Sequence, residues 1–296
     1  MSLKVGILMG GPSEEREISL LTGNAVAEAC QNLGYTVHKF PFHYDHRKLL
    51  NDLQEQDIIF NALHGGIGEN GKIQAWMNKN GIKNTGSGPE ASALCMDKGK
   101  SKSIARNHNI PTPKWEMLNS IDDQPTLPIP YVVKPNDQGS TVGLTIVHNE
   151  SEIEPAIHEA FDHGDLVMVE DYIQGHELTV TVLGQKAYPI VQIKPSHELY
   201  DYECKYTPGM SRYICPAELP DEITQKIQQD TEKIFKELGC EVYARADYLL
   251  DENEKHYFLE MNTLPGMTST SLVPKSVQAS GMTFEALVKT IIETSL

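Results

Sequence analysis

Tyr257-Phe258-Leu259-Glu260-Met261-Asn262-Thr263-Leu264-Pro265-Gly266-Met267-Thr268-Ser269-Thr270-Ser271 is the stretch that decides how this chain folds. Its first half is a strand whose apolar residues lead into a carboxylate and an amide, and Pro265-Gly266 then breaks it into a hydroxyl-rich loop. Just upstream, Val242-Tyr243-Ala244-Arg245-Ala246-Asp247-Tyr248-Leu249-Leu250 has the same strand character. Between the two lies Asp251-Glu252-Asn253-Glu254-Lys255, a polar turn of hairpin length. Folding about Asn253 brings Asp247 roughly opposite Glu260. Strand side chains alternate, so Arg245 shares a face with Asp247, and Glu260 with Asn262. Two carboxylates facing each other across a strand pair repel unless a cation sits between them. Asp, Glu and Asn oxygens are hard ligands, better suited to Mg²⁺ held with phosphates than to zinc. A solvated hairpin face is the alternative. The convergence of Asn262, Arg245 and the Pro-Gly loop on one end of the hairpin favours a metal–phosphate site.

Composition bounds the rest. A chain of 296 residues has room for two or three modest domains. A net charge of −16 argues against a nucleic-acid partner or an anionic membrane surface. No apolar run is long enough to span a bilayer, so no membrane partner is expected. Leu3-Lys4-Val5-Gly6-Ile7-Leu8-Met9 enters a strand almost at once, which leaves no room for a signal peptide. Cys30, Cys95, Cys204, Cys215 and Cys240 are odd in number and form no C-x-x-C pair. They read as free thiols in a reducing, cytoplasmic setting.

In chain order, Val5–Met9 reads as a buried strand, Gly10-Gly11-Pro12-Ser13 as a turn, and Glu14 onward as an amphipathic helix to about Leu33. Strands over 35–40 and 57–63 follow, the second ending in His64-Gly65-Gly66, and then a helix over about 71–80. Alternating strands and helices imply a parallel sheet that binds ligands at its carboxyl edge. The first turn lacks the G-x-G-x-x-G spacing of a dinucleotide site. Glu14, Glu15 and Glu17 have an ordinary explanation as acids at a helix N-terminus, and His64 alone reads as a loop residue.

Thr85-Gly86-Ser87-Gly88-Pro89 reads as a hinge, followed by one lysine-rich helix over about 91–108. That helix carries Lys98, Lys100 and Lys102, for which a solvated basic face is the alternative to a functional role. The strand ending in Lys134 leads into Asn136-Asp137-Gln138-Gly139-Ser140-Thr141-Val142-Gly143, a glycine- and hydroxyl-rich flap that can offer backbone N–H groups to phosphate, or else an ordinary long hairpin loop. Strands over 165–173 and 174–183, a mobile-looking segment over 200–210, and helices over about 220–238 and 283–293 complete the chain.

The chain also resembles a known family. Gly-Gly-Pro-Ser-Glu-Glu-Arg-Glu-Ile-Ser-Leu at 10–20, Leu-His-Gly-Gly at 63–66, Met-Asp-Lys at 96–98, Lys-Pro-Asn-Asp-Gln-Gly-Ser at 134–140, Tyr-Asp-Tyr-Glu-Cys-Lys-Tyr at 200–206, Ala-Arg-Ala-Asp at 244–247 and Glu-Met-Asn-Thr-Leu-Pro-Gly-Met-Thr at 260–268 carry the likeness. Together, in order and with compatible spacing, they resemble the D-alanine–D-alanine ligases of the ATP-grasp superfamily. The resemblance implies an α/β and α+β architecture, the ATP-grasp fold. Residues 1–88 would form a parallel α/β substrate-binding domain, and 89–172 and 173–296 two lobes that hold ATP between antiparallel sheets.

It also implies a carbon–nitrogen ligase that joins two D-alanine molecules through an acyl phosphate, with ATP and two Mg²⁺ (or Mn²⁺) ions, in peptidoglycan precursor synthesis, acting as a homodimer. By the same resemblance Asp247, Glu260 and Asn262 hold the metal ions, and Lys98, Lys134 and Lys205 hold the ATP phosphates. Glu170 accepts from the adenine amine and Glu177 from the ribose, with Tyr172, Ile173, Leu249 and Leu259 completing the nucleotide site. Arg245 and the Gly266 N–H form the oxyanion hole. Glu15 pairs with the first D-alanine's ammonium and forms a closing triad with Ser140 and Tyr206. Ser271 and Leu272 receive the second carboxylate, and His64 sits beside the reacting carboxyl. Two rivals remain: a ligase of the same superfamily that accepts D-lactate, which usually carries phenylalanine in place of Tyr206, and a non-catalytic nucleotide-binding regulator.

Overall fold

The computed structural model describes residues 2–197, 204, 207 and 209–296. The first layer is a parallel sheet in the order β2-β1-β3, built from β1 (Lys4–Gly10), β2 (Thr36–Phe42) and β3 (Ile58–Asn61). All of β1 after Lys4 is buried, as a central parallel strand covered on both faces must be. Helix α1 (Arg16–Asn32) makes the crossover from β1 to β2 and buries Val26, Ala27 and Cys30. The short α2 (Leu50–Gln54) precedes β3, and α3 (Gly66–Glu69) and α4 (Lys72–Lys79) follow it.

The lysine-rich stretch expected as one helix is two, α5 (Pro89–Met96) and α6 (Lys98–Asn107). Asp97 separates them. Its backbone is extended, and its carboxylate accepts from the Lys100 N–H at 3.0 Å, so the residue that ends one helix caps the next. The consequence is that Lys98 sits at the first position of α6.

The second sheet is antiparallel, in the order β4-β7-β5-β6, with β4 (Trp115–Leu118), β5 (Tyr131–Pro135), β6 (Thr145–Val147) and β7 (Val167–Asp171). Helix α7 (Ile153–Asp162) buries Ala156, Ile157 and Ala160 against it. The third sheet has six strands. Its path is β11-β10-β8-β12-β13, with β8 (Gly175–Leu183), β10 (Val191–Pro195), β11 (Ser211–Ile214), β12 (Tyr243–Asp251) and β13 (His256–Asn262), and the short β9 (Lys186–Ala187) pairs with β8. Helix α8 (Asp221–Glu237) covers one face with Ile227, Ile234 and Phe235. Helices α9 (Leu272–Ala279) and α10 (Phe284–Ser295) close the described chain.

The hairpin of β12 and β13 pairs Leu250 with His256 and Tyr248 with Phe258, then slips by one residue so that Asp247 lies opposite Glu260. The extra residue is Leu259, in a β-bulge. Without it Glu260 would face Ala246 and point into the core with Ala246, which is fully buried. The bulge brings Leu259 and Glu260 to line the same cavity.

Each of the three sheets falls within one of the expected sequence intervals, but the helices cross between them. Helices α5 and α6 pack on β13, and α10 packs on α1. One apolar core accordingly joins Val5, Ile7 and Val26 to Leu287, Val288 and Ile291. The five cysteines are all thiols, with Cys95 and Cys240 in contact at 3.4 Å.

Candidate active site

The hairpin face carries its charges already paired. Arg245 donates from Nε to Asp247 Oδ1 at 2.9 Å and from Nη2 to Oδ2 at 2.7 Å, which fixes the guanidinium plane. Thr179, across on β8, donates to Asp247 Oδ1 at 2.6 Å. Glu260 is bridged by Lys98 at 2.9 Å. The repulsion expected between the two acids is therefore relieved by one protein cation for each. Asn262 Oδ1 accepts from the Leu264 N–H at 2.9 Å and turns the chain into the Pro-Gly loop. Among the described residues no cluster of three His, Cys, Asp or Glu side chains that could hold a metal ion forms.

Two cavities open on this face. One, of about 580 Å³, is the size of a nucleotide pocket and lies between the second and third sheets. Glu170, Tyr172, Ile173, Glu177, Leu249 and Leu259 line it, as does Lys134. The other holds about 100 Å³ and is lined by Glu15, His64, Gly266, Ser271 and Leu272 among others. The same six residues, Lys98, Gln138, Gly139, Ser140, Arg245 and Glu260, line both. A group bound in the large cavity therefore meets one bound in the small cavity across two cations, a carboxylate and the flap.

The flap between β5 and β6 reaches both ways. Lys98 donates to the Gln138 carbonyl at 2.6 Å, and Asn136 ties the flap's base to Asp97 and Gly99 at 3.0 and 2.9 Å. Ser140 and Thr141 both hold positive φ, at 53° and 67°, a conformation that non-glycine residues adopt at some cost and that recurs at binding sites. It lets Ser140 Oγ donate to Glu15 Oε1 at 2.6 Å, a contact between residues 125 positions apart.

On the other side of the small cavity, His64 Nε2 and Thr22 Oγ1 are 2.9 Å apart, and His64 Nδ1 lies 3.8 Å from Glu69. Gly65 takes φ +64°, and a Cβ there would stand 2.8 Å from Glu15 Oε2. A Cβ on Gly266 would stand 2.8 Å from Ser271 Oγ, so both glycines are close-approach positions. Ser271 and Leu272 begin α9, and Ser271 Oγ accepts from the Thr268 N–H at 2.9 Å. Lys205 and Tyr206, expected at the phosphates and in the closing triad, lie outside the described residues, as does most of the segment 200–210.

Glu170 also lines the large cavity, where it is committed to two lysines. Its carboxylate is buried between Lys134 on one oxygen and Lys102, at 2.7 Å, on the other. Burial alone would raise its pKa, but the two adjacent ammonium charges outweigh that and hold it at about 2. From the sequence Lys102 is one of three lysines on a helix. The signal was available in the spacing, because Lys98 and Lys102 are four apart and share a helix face, whereas Lys100 lies off it and is exposed.

Comparison with known proteins gives a consistent picture. The family model for the D-ala D-ala ligase C-terminus matches residues 104–293. The D-alanine–D-alanine ligase of Halalkalibacterium halodurans is 41% identical over 304 residues, covering 99% of each chain. That of Syntrophotalea carbinolica is 42% identical, over 98% of this chain and 95% of its own. Among solved structures, D-alanine–D-alanine ligase from Bacillus anthracis superposes with a TM-score of 0.90 at 35% identity, covering 99% of this chain and 97% of that one. The same enzyme complexed with ATP gives 0.88 at 34% identity, covering 100% and 97%.

Proposed function

The chain belongs to the D-alanine–D-alanine ligase family, and from that we infer that it joins two D-alanine molecules in an ATP-dependent reaction that supplies D-alanyl-D-alanine for peptidoglycan precursors. The observation that carries this reading is the junction of the two cavities. A nucleotide-sized pocket and one small enough for alanine-sized substrates share a wall of Lys98, Arg245, Glu260 and the flap, where a γ-phosphate and a substrate carboxylate would meet.

A free carboxylate is a poor electrophile, so the first D-alanine carboxylate attacks the γ-phosphorus of ATP, the bond to the β,γ-bridging oxygen breaks, ADP leaves, and the product is an acyl phosphate. The second D-alanine, with its amine neutral, attacks that carbonyl, and the tetrahedral intermediate collapses with loss of phosphate. Lys98 and Lys134 bind the ATP phosphates, with Lys205 added from the segment 200–210. Adenine and ribose lie against Tyr172, Ile173, Leu249 and Leu259, with Glu170, which also holds Lys134, accepting from the adenine amine and Glu177 from the ribose hydroxyls. Glu15 anchors the first ammonium, with Ser140 and Tyr206 closing over it, and His64 stands beside the reacting carboxyl. Arg245, its plane set by Asp247, and the Gly266 N–H face the charge that develops on the intermediate, where one such donor typically contributes about 3–4 kcal/mol. Ser271 and Leu272, at the start of α9, receive the second carboxylate.

Asp247, Glu260 and Asn262 suit a hard divalent cation, because the bulged register aligns the two acids and all three donors are oxygens. These residues would hold Mg²⁺ or Mn²⁺, which would supply positive charge against the phosphates. The division into units 1–88, 89–172 and 173–296 and the assembly as a homodimer belong to the same proposal. Among the described residues no helix is long and apolar enough to cross a membrane.

One experiment tests the assignment: ATP-dependent phosphate release with D-alanine, L-alanine, D-lactate and D-serine, with product identified in each case. Release with D-alanine and formation of the dipeptide are expected, with little from L-alanine. D-serine belongs in the set because VanG D-Ala:D-Ser ligase from Enterococcus faecalis superposes with a TM-score of 0.85 at 27% identity, covering 100% of both chains. No release with D-alanine, or equal release with L-alanine, overturns the reading.

A further inference from the structure

Lys102 is wholly buried and touches neither cavity. Its ammonium lies 2.7 Å from Glu170 Oε2, donates to Thr112 Oγ1 at 2.9 Å and reaches the Phe258 carbonyl at 3.4 Å. Thr112 in turn donates to that same carbonyl at 2.8 Å. Glu170 is on β7 and Phe258 on β13, so one ammonium joins the two sheets that flank the large cavity, immediately before the bulged Leu259. Glu170's other oxygen is held by Lys134, and both of these residues, unlike Lys102, line that cavity.

We propose that Lys102 is a positioning residue for ATP, serving as the internal counter-ion that keeps the Lys134 charge available to the phosphates. It rests on the ligase reading. Two cations share one carboxylate, so the buried cluster carries one net positive charge, and that charge faces the cavity through Lys134. Without Lys102, Lys134 and Glu170 form a neutral pair. Among the described residues the ammonium left to compensate the buried carboxylate is then the one that must contact phosphate, and leaving a buried carboxylate uncompensated is costly. ATP would have to pull Lys134 off Glu170 in order to bind. Burial pushes the Lys102 pKa down to about 8, opposed by the Glu170 charge, so the group is still mainly charged at neutral pH.

The charge argument predicts a rescue that a purely structural role does not. Lys102→Met weakens Mg·ATP binding, measured by titration calorimetry, by at least about tenfold. The KM for D-alanine stays within about threefold of wild type, because the small cavity is untouched. Lys102→Met/Glu170→Gln removes the competing carboxylate together with the counter-ion, and ATP affinity recovers to within about tenfold of wild type and above that of the single variant. Lys102→Arg, which keeps the charge, retains more affinity than Lys102→Met.

An unchanged ATP affinity in Lys102→Met overturns the proposal, and so does a double variant that binds no better than the single. If Lys102→Met does not fold, the double variant is compared with wild type directly, and a loss greater than about tenfold overturns it. If the wild-type protein itself binds no ATP, the ligase reading fails first, and that outcome is distinct from the others.

Discussion

Glu260 stands on the wall between the cavities and pairs with Lys98 at 2.9 Å. Its side chain is 30% exposed, and Lys98 keeps a second acceptor in the Gln138 carbonyl, so Glu260→Gln should cost under about 1 kcal/mol of stability. Activity should nonetheless be largely lost, since a neutral amide is a poor ligand for a divalent ion. Thermal melting and phosphate release across a Mg²⁺ titration check this together. Near wild-type turnover at saturating Mg²⁺ would falsify the metal assignment. Gly65 makes a finer test. An alanine there must take φ +64° and place its Cβ 2.8 Å from Glu15 Oε2, which pushes Glu15 away from Ser140. A displacement of about 1 Å can cost on the order of 10²-fold, so Gly65→Ala should lose that much in kcat/KM for D-alanine while ATP affinity holds. Parallel loss in both would mean that the site had been damaged as a whole.

The break between α5 and α6 is what aims Lys98. Asp97 caps α6 and is tied to the flap's base through Asn136 at 3.0 Å, so Asp97→Ala should cost about 1 kcal/mol from the lost cap. It should also raise the KM for ATP, because Lys98 loses its fixed starting position. Urea denaturation and ATP titration measure the two effects. If stability falls and ATP binding does not, Lys98 is positioned by Glu260 and not by the cap. This break shows where reading the sequence stops. A lysine-rich periodic run looks continuous, and only the tertiary contact of Asp97 with Asn136 reveals that it is two helices. The hairpin fared better, because alternation and turn length are local signals. They placed Asp247 opposite Glu260 to within one residue. The bulge at Leu259 that makes the pairing exact in register depends on what packs behind each face, which no local pattern encodes. The Glu15–Ser140 contact, 125 positions apart, was accessible only through family resemblance, and the commitment of Glu170 to two lysines not even by that route.

Across the whole molecule, α10 matters more than its distance from the cavities suggests. Leu287, Val288, Ile291 and Ile292 are fully buried in the core that also holds β1 and α1. Ile291→Ala should therefore cost about 2–5 kcal/mol, a large share of the roughly 5–15 kcal/mol that stabilises a typical protein. Because Glu15 starts α1, the loss should be accompanied by weaker D-alanine binding near the midpoint of denaturation. Denaturant unfolding followed by far-UV circular dichroism checks the first part. A change within about 0.5 kcal/mol would show that the N-terminal layer holds its core without this helix. The shared core also has a consequence in time. A ribosome makes β1–β3 first and reaches residue 284 some two hundred residues later, on the order of ten to forty seconds at typical elongation speeds. Throughout that interval Val5 and Ile7 of the emerging parallel sheet and Val26 of α1 lack the helix that completes their core. The first layer to be synthesised is thus among the last to be finished, and in a cell its apolar face is left open to chaperones in the meantime.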